Sequence, residues 1–355
     1  MSNRSLINFL QVGDFSLDYY DQALYSALNN SELLNVEKFV WSTYFSDYKY
    51  KSFLHKLFYT FENRYKYGFL VRKLNQDLLR KVKDNSYDVI FLWRAVHIYP
   101  STIKALKKQA VVIGYNNDQT YSDSHPWWLF FVLKQSIPYY DHFFVYRSSD
   151  IAGIESKGVS SSVFMPTVDF KRIYPVRTEK KYDVVFIGHY ENDSRDELIV
   201  ELIQRGFKVG LYGQRWSDSI YYNRLVESLG EIKPAYNNYN DVLNSSKVCL
   251  SFLSKLNNDK YTRRTLEIPA SKTVMLAEYT NEQAIMFEPD VEAVYFNNHN
   301  EAIEKLYWLM ENPAALDAIA HAGYKKVLLG SYQLSDRVND IIDVAQEKRA
   351  KKNEC

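Results

Sequence analysis

The sequence predicts an α/β fold built from two doubly wound units in tandem, and three observations carry that reading. Short apolar, β-branched runs recur along the whole chain, helix-like segments separate most of them, and the pattern starts afresh after a charged, proline-bearing stretch at 169–181. Continuous apolar runs of this kind belong to parallel sheets covered on both faces. In the first half they fall at 5–12, 35–41, 87–93, 110–115, 142–146 and 162–165. In the second half they fall at 182–188, 208–212, 247–252, 273–277 and 293–296. The stretch 169–181 (DFKRIYPVRTEKK) lacks periodicity and reads as a linker. The expected domains are therefore 1–176 and 177–334, followed by a helix and tail at 335–355. Helical periodicity returns at 300–310, 313–321 and 335–348. The last of these has Ser335 as its expected N-cap and is expected to pack back on the first domain.

Composition limits the function classes. With 355 residues, 46% of them hydrophobic, the chain can bury large cores, and disorder is excluded. Lys and Arg number 44 against 43 Asp and Glu, so no bulk field draws nucleic acid or an anionic membrane, and a charged ligand must be met locally. Cys249 lies in an apolar run and Cys355 at the end, which fits neither a disulfide framework nor a metal knuckle and suits the reducing cytoplasm. Residues 1–13 lack a cleavage-site pattern, and no window reaches membrane-spanning length. The aromatic run WWLFFVL at 127–133 reads as a buried helix or strand, with contact to a lipid-linked acceptor as the alternative. The basic end at 348–352 reads as a solvated helix terminus that complements the dipole.

Two segments in the second half carry the chemistry. In 182–206 a buried-strand pattern (YDVVFIG) ends in Gly188, a polar loop follows, and an amphipathic helix opens at Ser194, with Ser194 and Glu197 matching a capping box. A glycine at a strand end lets backbone approach a ligand, and the free N–H groups of a helix start attract phosphate; Arg195 sits in that first turn. The alternative is an ordinary β-α unit, because neither a dinucleotide fingerprint nor a P-loop is present. In 259–278 (DKYTRRTLEIPASKTVMLAE) Arg263 and Arg264 offer fork-like donors to a diphosphate, and Glu267 offers two acceptors to sugar hydroxyls. The alternative there is a solvated Arg–Glu helix pair.

These motifs resemble the GT-B glycosyltransferases, in particular the branch of spore-maturation-type glycosyltransferase-like proteins. The resemblance rests on YDVVFIG with Arg195, YGQRW at 212–216, RTLE at 264–267, IPASKTVMLAE, and a late S-Y-x-x-x-x-R at 331–337, and it covers about residues 180–340. It implies two Rossmann-like domains, with the nucleotide-sugar donor held by the second. It also implies that Arg195 and Arg264, with Arg263 beside them, neutralise the diphosphate, and that Glu267 holds ribose hydroxyls. Asp259, eight residues earlier, stands where related retaining enzymes carry a glutamate facing the transferred sugar. Tyr236, in KPAYNNY at 233–239, matches the loop over the nucleotide base.

No two aspartates are separated by a single residue, and the seven histidines show no ligand spacing, so neither metal nor other cofactor is expected. The first domain is expected to supply the acceptor site and any general base at strand ends: Gly13-Asp14, His97 or Asp118. The acceptor class stays open between glycan, lipid-linked glycan and protein. Two other readings stand beside the transferase. One is a nucleotide- or glycan-binding protein of surface-layer assembly without catalysis; the other is a nucleotide-sugar 2-epimerase on the same architecture.

Overall fold

Each apolar run expected as a strand pairs in parallel with its neighbours in the computed structural model, which describes residues 6–46, 52–123, 125–235, 238–255 and 257–353. The chain divides into two units, Met1–Met165 with Leu334–Cys355, and Pro166–Gln333. The first holds β1 (Ile7–Gly13), β2 (Leu34–Val40), β3 (Val89–Trp93), β4 (Val111–Asn116), β5 (His142–Val145) and β6 (Ser160–Val163), ordered β2-β1-β3-β4-β5-β6. The second holds β7 (Tyr182–Ile187), β8 (Val209–Tyr212), β9 (Ser246–Ser251), β10 (Val274–Glu278) and β11 (Val294–Phe296), ordered β11-β10-β9-β7-β8. In each sheet the chain steps from its first strand to one side and then returns to the other. The switch points therefore lie between β1 and β3 and between β7 and β9, where doubly wound sheets bind ligands at strand carboxyl ends.

The cores follow from the strand sequences. Val184, Phe186, Val248, Leu250, Val274, Leu276 and Val294 of the second sheet are fully buried and meet the helices Arg195–Gln204 and His299–Glu311. In the first unit, the central strands are covered on one face by helix Phe69–Asp84 through Val71, Leu74 and Leu78. On the other face, Val338, Ile341, Ile342 and Ala345 of the last helix join Val89, Phe91 and Ile113.

That last helix runs Leu334–Asn353, so it begins one residue before the expected cap Ser335. Its basic end is fastened as well as exposed. Arg349 pairs with Asp88 at 2.7 Å just before β3, and Lys352 with Asp141 at 2.9 Å just before β5. Lys352 Nζ also donates to Ala110 O at 2.8 Å. The charges that complement the helix dipole thus also tie the helix to two strand starts.

The segment read as a linker is likewise held. The backbone N–H of Tyr174 donates to Asn240 Oδ1 at 3.1 Å and that of Val176 to Asn244 Oδ1 at 2.6 Å, while Lys180 Nζ donates to the carbonyls of Asn244 and Ser246. Two asparagines in the second unit replace the hydrogen bonds that an irregular segment cannot make to itself. The run 127–133 divides between core and surface. Phe130, Val132 and Leu133 are buried as expected, whereas Trp127 and Phe131 are 70% and 47% exposed.

Ile341→Ala should lower the stability of the full chain by about 2–5 kcal/mol in urea denaturation, because it empties a fully buried site shared with β3 and β4. A change within about 0.5 kcal/mol would show that the last helix is not part of this core.

Candidate functional site

At the switch point of the second sheet, the buried run Val184, Val185, Phe186, Ile187 drives β7 to its carboxyl end and delivers Gly188 there. Gly188 N–H donates to Tyr212 O at 2.8 Å, and Gly188 O accepts from Trp216 Nε1 at 3.1 Å. The Y-G-x-x-W stretch therefore acts on the strand end itself. Gly213 has φ +148°, and a Cβ there would stand 1.8 Å from Gly188 O, so only glycine lets the β8 loop lie against the β7 loop. Trp216 is 2% exposed and packs edge-on to Phe186 at 6.0 Å.

Arg264 opens the helix Arg264–Ala270 and reaches this point. Its Nη1 donates to Ile187 O at 3.2 Å and its Nη2 to Phe252 O at 3.0 Å, so one guanidinium bridges the ends of β7 and β9. Its Nε is buried with no hydrogen-bond partner among the described residues. A Cβ on Gly188 would lie 3.0 Å from Nη1, so the strand end and the guanidinium touch. A planar cation with donors to spare, beside bare backbone at a switch point, is suited to a diphosphate.

Glu267, one turn further along, is 5% exposed. Its carboxylate accepts from the Tyr239 hydroxyl at 2.9 Å and from Arg263 Nη2. Burial and the Glu267 charge push the Tyr239 phenol well above its ordinary pKa, so it remains a proton donor to that carboxylate. Glu278, at the end of β10, accepts from Leu253 N–H at 2.6 Å and from Lys255 Nζ at 2.8 Å, which orders the chain after β9. Asp259 lies on that same connection, half-buried, with its N–H donating to Ser254 O at 3.0 Å.

Arg195 is placed differently from the expectation. It is 3% exposed, its Nε and Nη2 grip Asp193 at 2.7 and 2.6 Å, and Nη1 donates to His189 O at 2.7 Å. Its charge is already spent on the loop 189–193, and Phe186 and Phe252 lie within 6 Å of it at 5.7 and 5.4 Å. It braces the loop. The capping box is not formed either: Ser194 takes a left-handed φ of 65° with no side-chain cap, and Asp193 Oδ1 accepts the Arg195 N–H at 3.4 Å instead. Tyr236 lies outside the described residues.

His189, directly after Gly188, was not among the expected residues. It is exposed, and partial burial together with Arg264 and Arg215 lowers its pKa, which keeps the imidazole neutral at pH 7 beside the guanidinium. Its position next to the strand-end glycine was the available signal.

In the first unit, Asp118 follows β4 and pairs with Arg94 at 2.8 Å, just beyond β3; Asp14 follows β1. Arg94 has a φ of 47°, a conformation side chains seldom take. His97 does not serve as expected. It is 2% exposed, wedged against Trp41 and Phe45 with ring centroids at 4.8 and 4.7 Å, and its Nε2 meets Asn63 Oδ1 at 2.8 Å and Lys66 Nζ at 3.3 Å. Burial, then Lys66, hold its pKa well below the usual value, which makes it a neutral core histidine and not a base for an acceptor.

Two doubly wound sheets, with a switch-point site in the second, define the GT-B fold, and solved structures agree. Sucrose-phosphate synthase from Thermosynechococcus elongatus is similar at 13% identity with a TM-score of 0.69, covering 97% of this chain and 100% of that one. HepE from Anabaena, solved in complex with UDP, has 8% identity and a TM-score of 0.63, covering 97% and 100%. A protein from Listeria monocytogenes described as a putative UDP-N-acetylglucosamine 2-epimerase has 10% identity and a TM-score of 0.60, covering 98% of each chain. No curated protein sequence matches the chain. Residues 195–343 match the family described as glycosyl transferase-like. The chain therefore has the GT-B fold, and its segment 195–343 is similar to the glycosyl transferase-like family.

Gly213→Ala should cost about 1–3 kcal/mol or more in denaturant unfolding, since the new methyl must displace the Gly188 carbonyl. A variant as stable as the parent would show that the two loops do not meet as described.

Proposed function

We propose that the chain transfers a sugar from a nucleoside-diphosphate-sugar donor, without a metal ion, to a glycan, lipid-linked or protein acceptor. One observation carries this: the Arg264 guanidinium spans the ends of β7 and β9 against Gly188, with an unpartnered Nε. When the bond from the sugar to the diphosphate breaks, negative charge grows on the departing phosphate. A fixed guanidinium and neighbouring backbone amides can stabilise it where a Lewis acid otherwise would. HepE, which shares the fold, was solved in complex with UDP, and this supports a nucleotide ligand for the present chain.

In this reading Glu267, oriented by Tyr239 and Arg263, takes the ribose hydroxyls. Asp259 faces the transferred sugar, as in retaining transfer, and Arg195 acts through the loop it braces. The bond from the anomeric carbon to the acceptor oxygen forms as the bond to the diphosphate breaks. The acceptor proton passes to the leaving phosphate, or to Asp118 if the reaction inverts. The similarity to a 2-epimerase keeps that reading as the runner-up, and the family match over residues 195–343 favours the transferase. The cytoplasm is the proposed compartment; among the described residues no helix is long and apolar enough to cross a membrane.

In thermal-shift measurements with EDTA present, one of UDP, GDP, TDP or CDP should raise the melting temperature of the parent and fail to raise that of Arg264→Ala. Absence of a shift with all four would remove the nucleotide site, and binding without transfer or donor turnover would favour a non-catalytic binder. Once a donor is known, EDTA should leave the rate unchanged; loss of turnover restored by Mn²⁺ would refute the metal-independent reading. Arg264→Ala should lower kcat by about 10²–10³-fold, the usual cost of removing one donor to developing charge.

A further inference from the structure

Away from the donor site, the first unit carries a large apolar face left exposed among the described residues. The helix Phe53–Tyr65 buries only Tyr59 and Glu62 of its 13 residues. Phe53, Leu54, Leu57, Phe58, Phe61 and Tyr65 are exposed, from 39% at Tyr65 to 74% at Phe53. At the helical repeat of about 100° per residue, these six fall within an arc of about 140°. The opposite side is fixed. The Glu62 carboxylate accepts from the N–H groups of Phe69, Leu70 and Val71 at 3.0, 2.7 and 3.2 Å and so caps the following helix, Phe69–Asp84. The apolar arc is therefore held outward by a buried cap and not by chance of packing.

The patch extends beyond this helix. Arg64 lies over the Trp128 ring at 4.9 Å, which brings the 127–131 segment alongside, with Trp127 and Phe131 exposed in edge contact at 5.9 Å. Phe69, 74% exposed, carries the apolar surface to a depression shared with Arg72, Lys73, Arg80 and Lys81 and with the acids Asp77 and Asp84. Residues 52–84 hold eight Lys and Arg against three Asp and Glu, a surplus of five, in a chain whose net charge is +1. Lys66 is buried, and Lys73, Arg80 and Lys81 pair with Asp77 and Glu37, which leaves Lys56, Arg64, Arg72 and Lys83 as the exposed cations of this segment outside those pairs.

We propose that this face docks on an anionic lipid bilayer, with the helix Phe53–Tyr65 lying in the headgroup plane. The pattern is that of an interfacial helix: phenylalanine, leucine and tryptophan on one side and lysine and arginine around it. Bilayer binding draws on both features, because acyl chains accept the aromatic and leucine side chains while anionic headgroups meet the cations. The reading is independent of the donor site and holds whichever nucleotide binds there.

The test is co-sedimentation of the full chain with vesicles of equimolar phosphatidylglycerol and phosphatidylcholine, and with phosphatidylcholine alone. The parent should pellet with the anionic vesicles and largely remain in solution with the neutral ones. Phe53→Ser with Phe58→Ser, and separately Lys56→Glu with Arg72→Glu, should each lower the bound fraction about tenfold while leaving the melting temperature unchanged. All four side chains are solvent-exposed, so both variants are expected to fold. A parent that ignores both vesicles would overturn the proposal, as would equal binding to both or variants that bind like the parent. A parent that dimerises through this face, becomes monomeric in Phe53→Ser/Phe58→Ser and leaves vesicles unbound would also overturn it, assigning the face to a second copy of the chain.

Discussion

The second unit is organised around a single cation. Arg264 donates to the carbonyl that ends β7 and to the one that follows β9, and these are the two strands between which the chain reverses direction of travel. Several neighbouring features serve that placement. Gly188 leaves room for the guanidinium, Gly213 lets the β8 loop close over the Gly188 carbonyl, and Trp216 locks the same carbonyl from the other side. Arg195 and Asp193 form a second, self-contained pair that stiffens the loop between β7 and its helix. One arginine is thus consumed in building the site, and the other keeps donors available.

The carboxylate side is built the same way. Glu267 is almost buried, a position a charge tolerates only with firm partners, and Tyr239 and Arg263 provide them from two different elements. A cation and an anion on the same helix, each oriented by backbone or buried side chains, are the anchoring points we propose for a diphosphate and a ribose.

Strands were the most legible part of the sequence, because continuous apolar runs of four to eight residues admit few other readings once helices separate them. The runs at 182–188 and 247–252, for example, correspond to β7 and β9 within a residue or so at each end. Gly188 follows the end of β7 and Arg264 opens a helix, as the pattern suggests, and the structure brings the two side by side. Site residues were not legible where the outcome depends on what a side chain meets. Arg195 looked available because it opens a helix, yet Asp193, two residues earlier, takes its fork. His97 looked like a strand-end base, yet the approach of Trp41, Phe45 and Lys66 from distant parts of the chain makes it core. The even global charge likewise concealed the basic, aromatic face at 52–84, which emerges only when the helix is seen to turn its apolar arc outward.

We propose that a nucleoside diphosphate seats at the β7/β9 switch point against Arg264. A crystal structure of the chain soaked with the nucleoside diphosphate that stabilises it tests this most directly. Diphosphate oxygens are expected within about 3 Å of the Arg264 guanidinium, beside Gly188, with ribose hydroxyls on Glu267. A nucleotide bound elsewhere, or one at this point whose phosphates face away from Arg264, would contradict it.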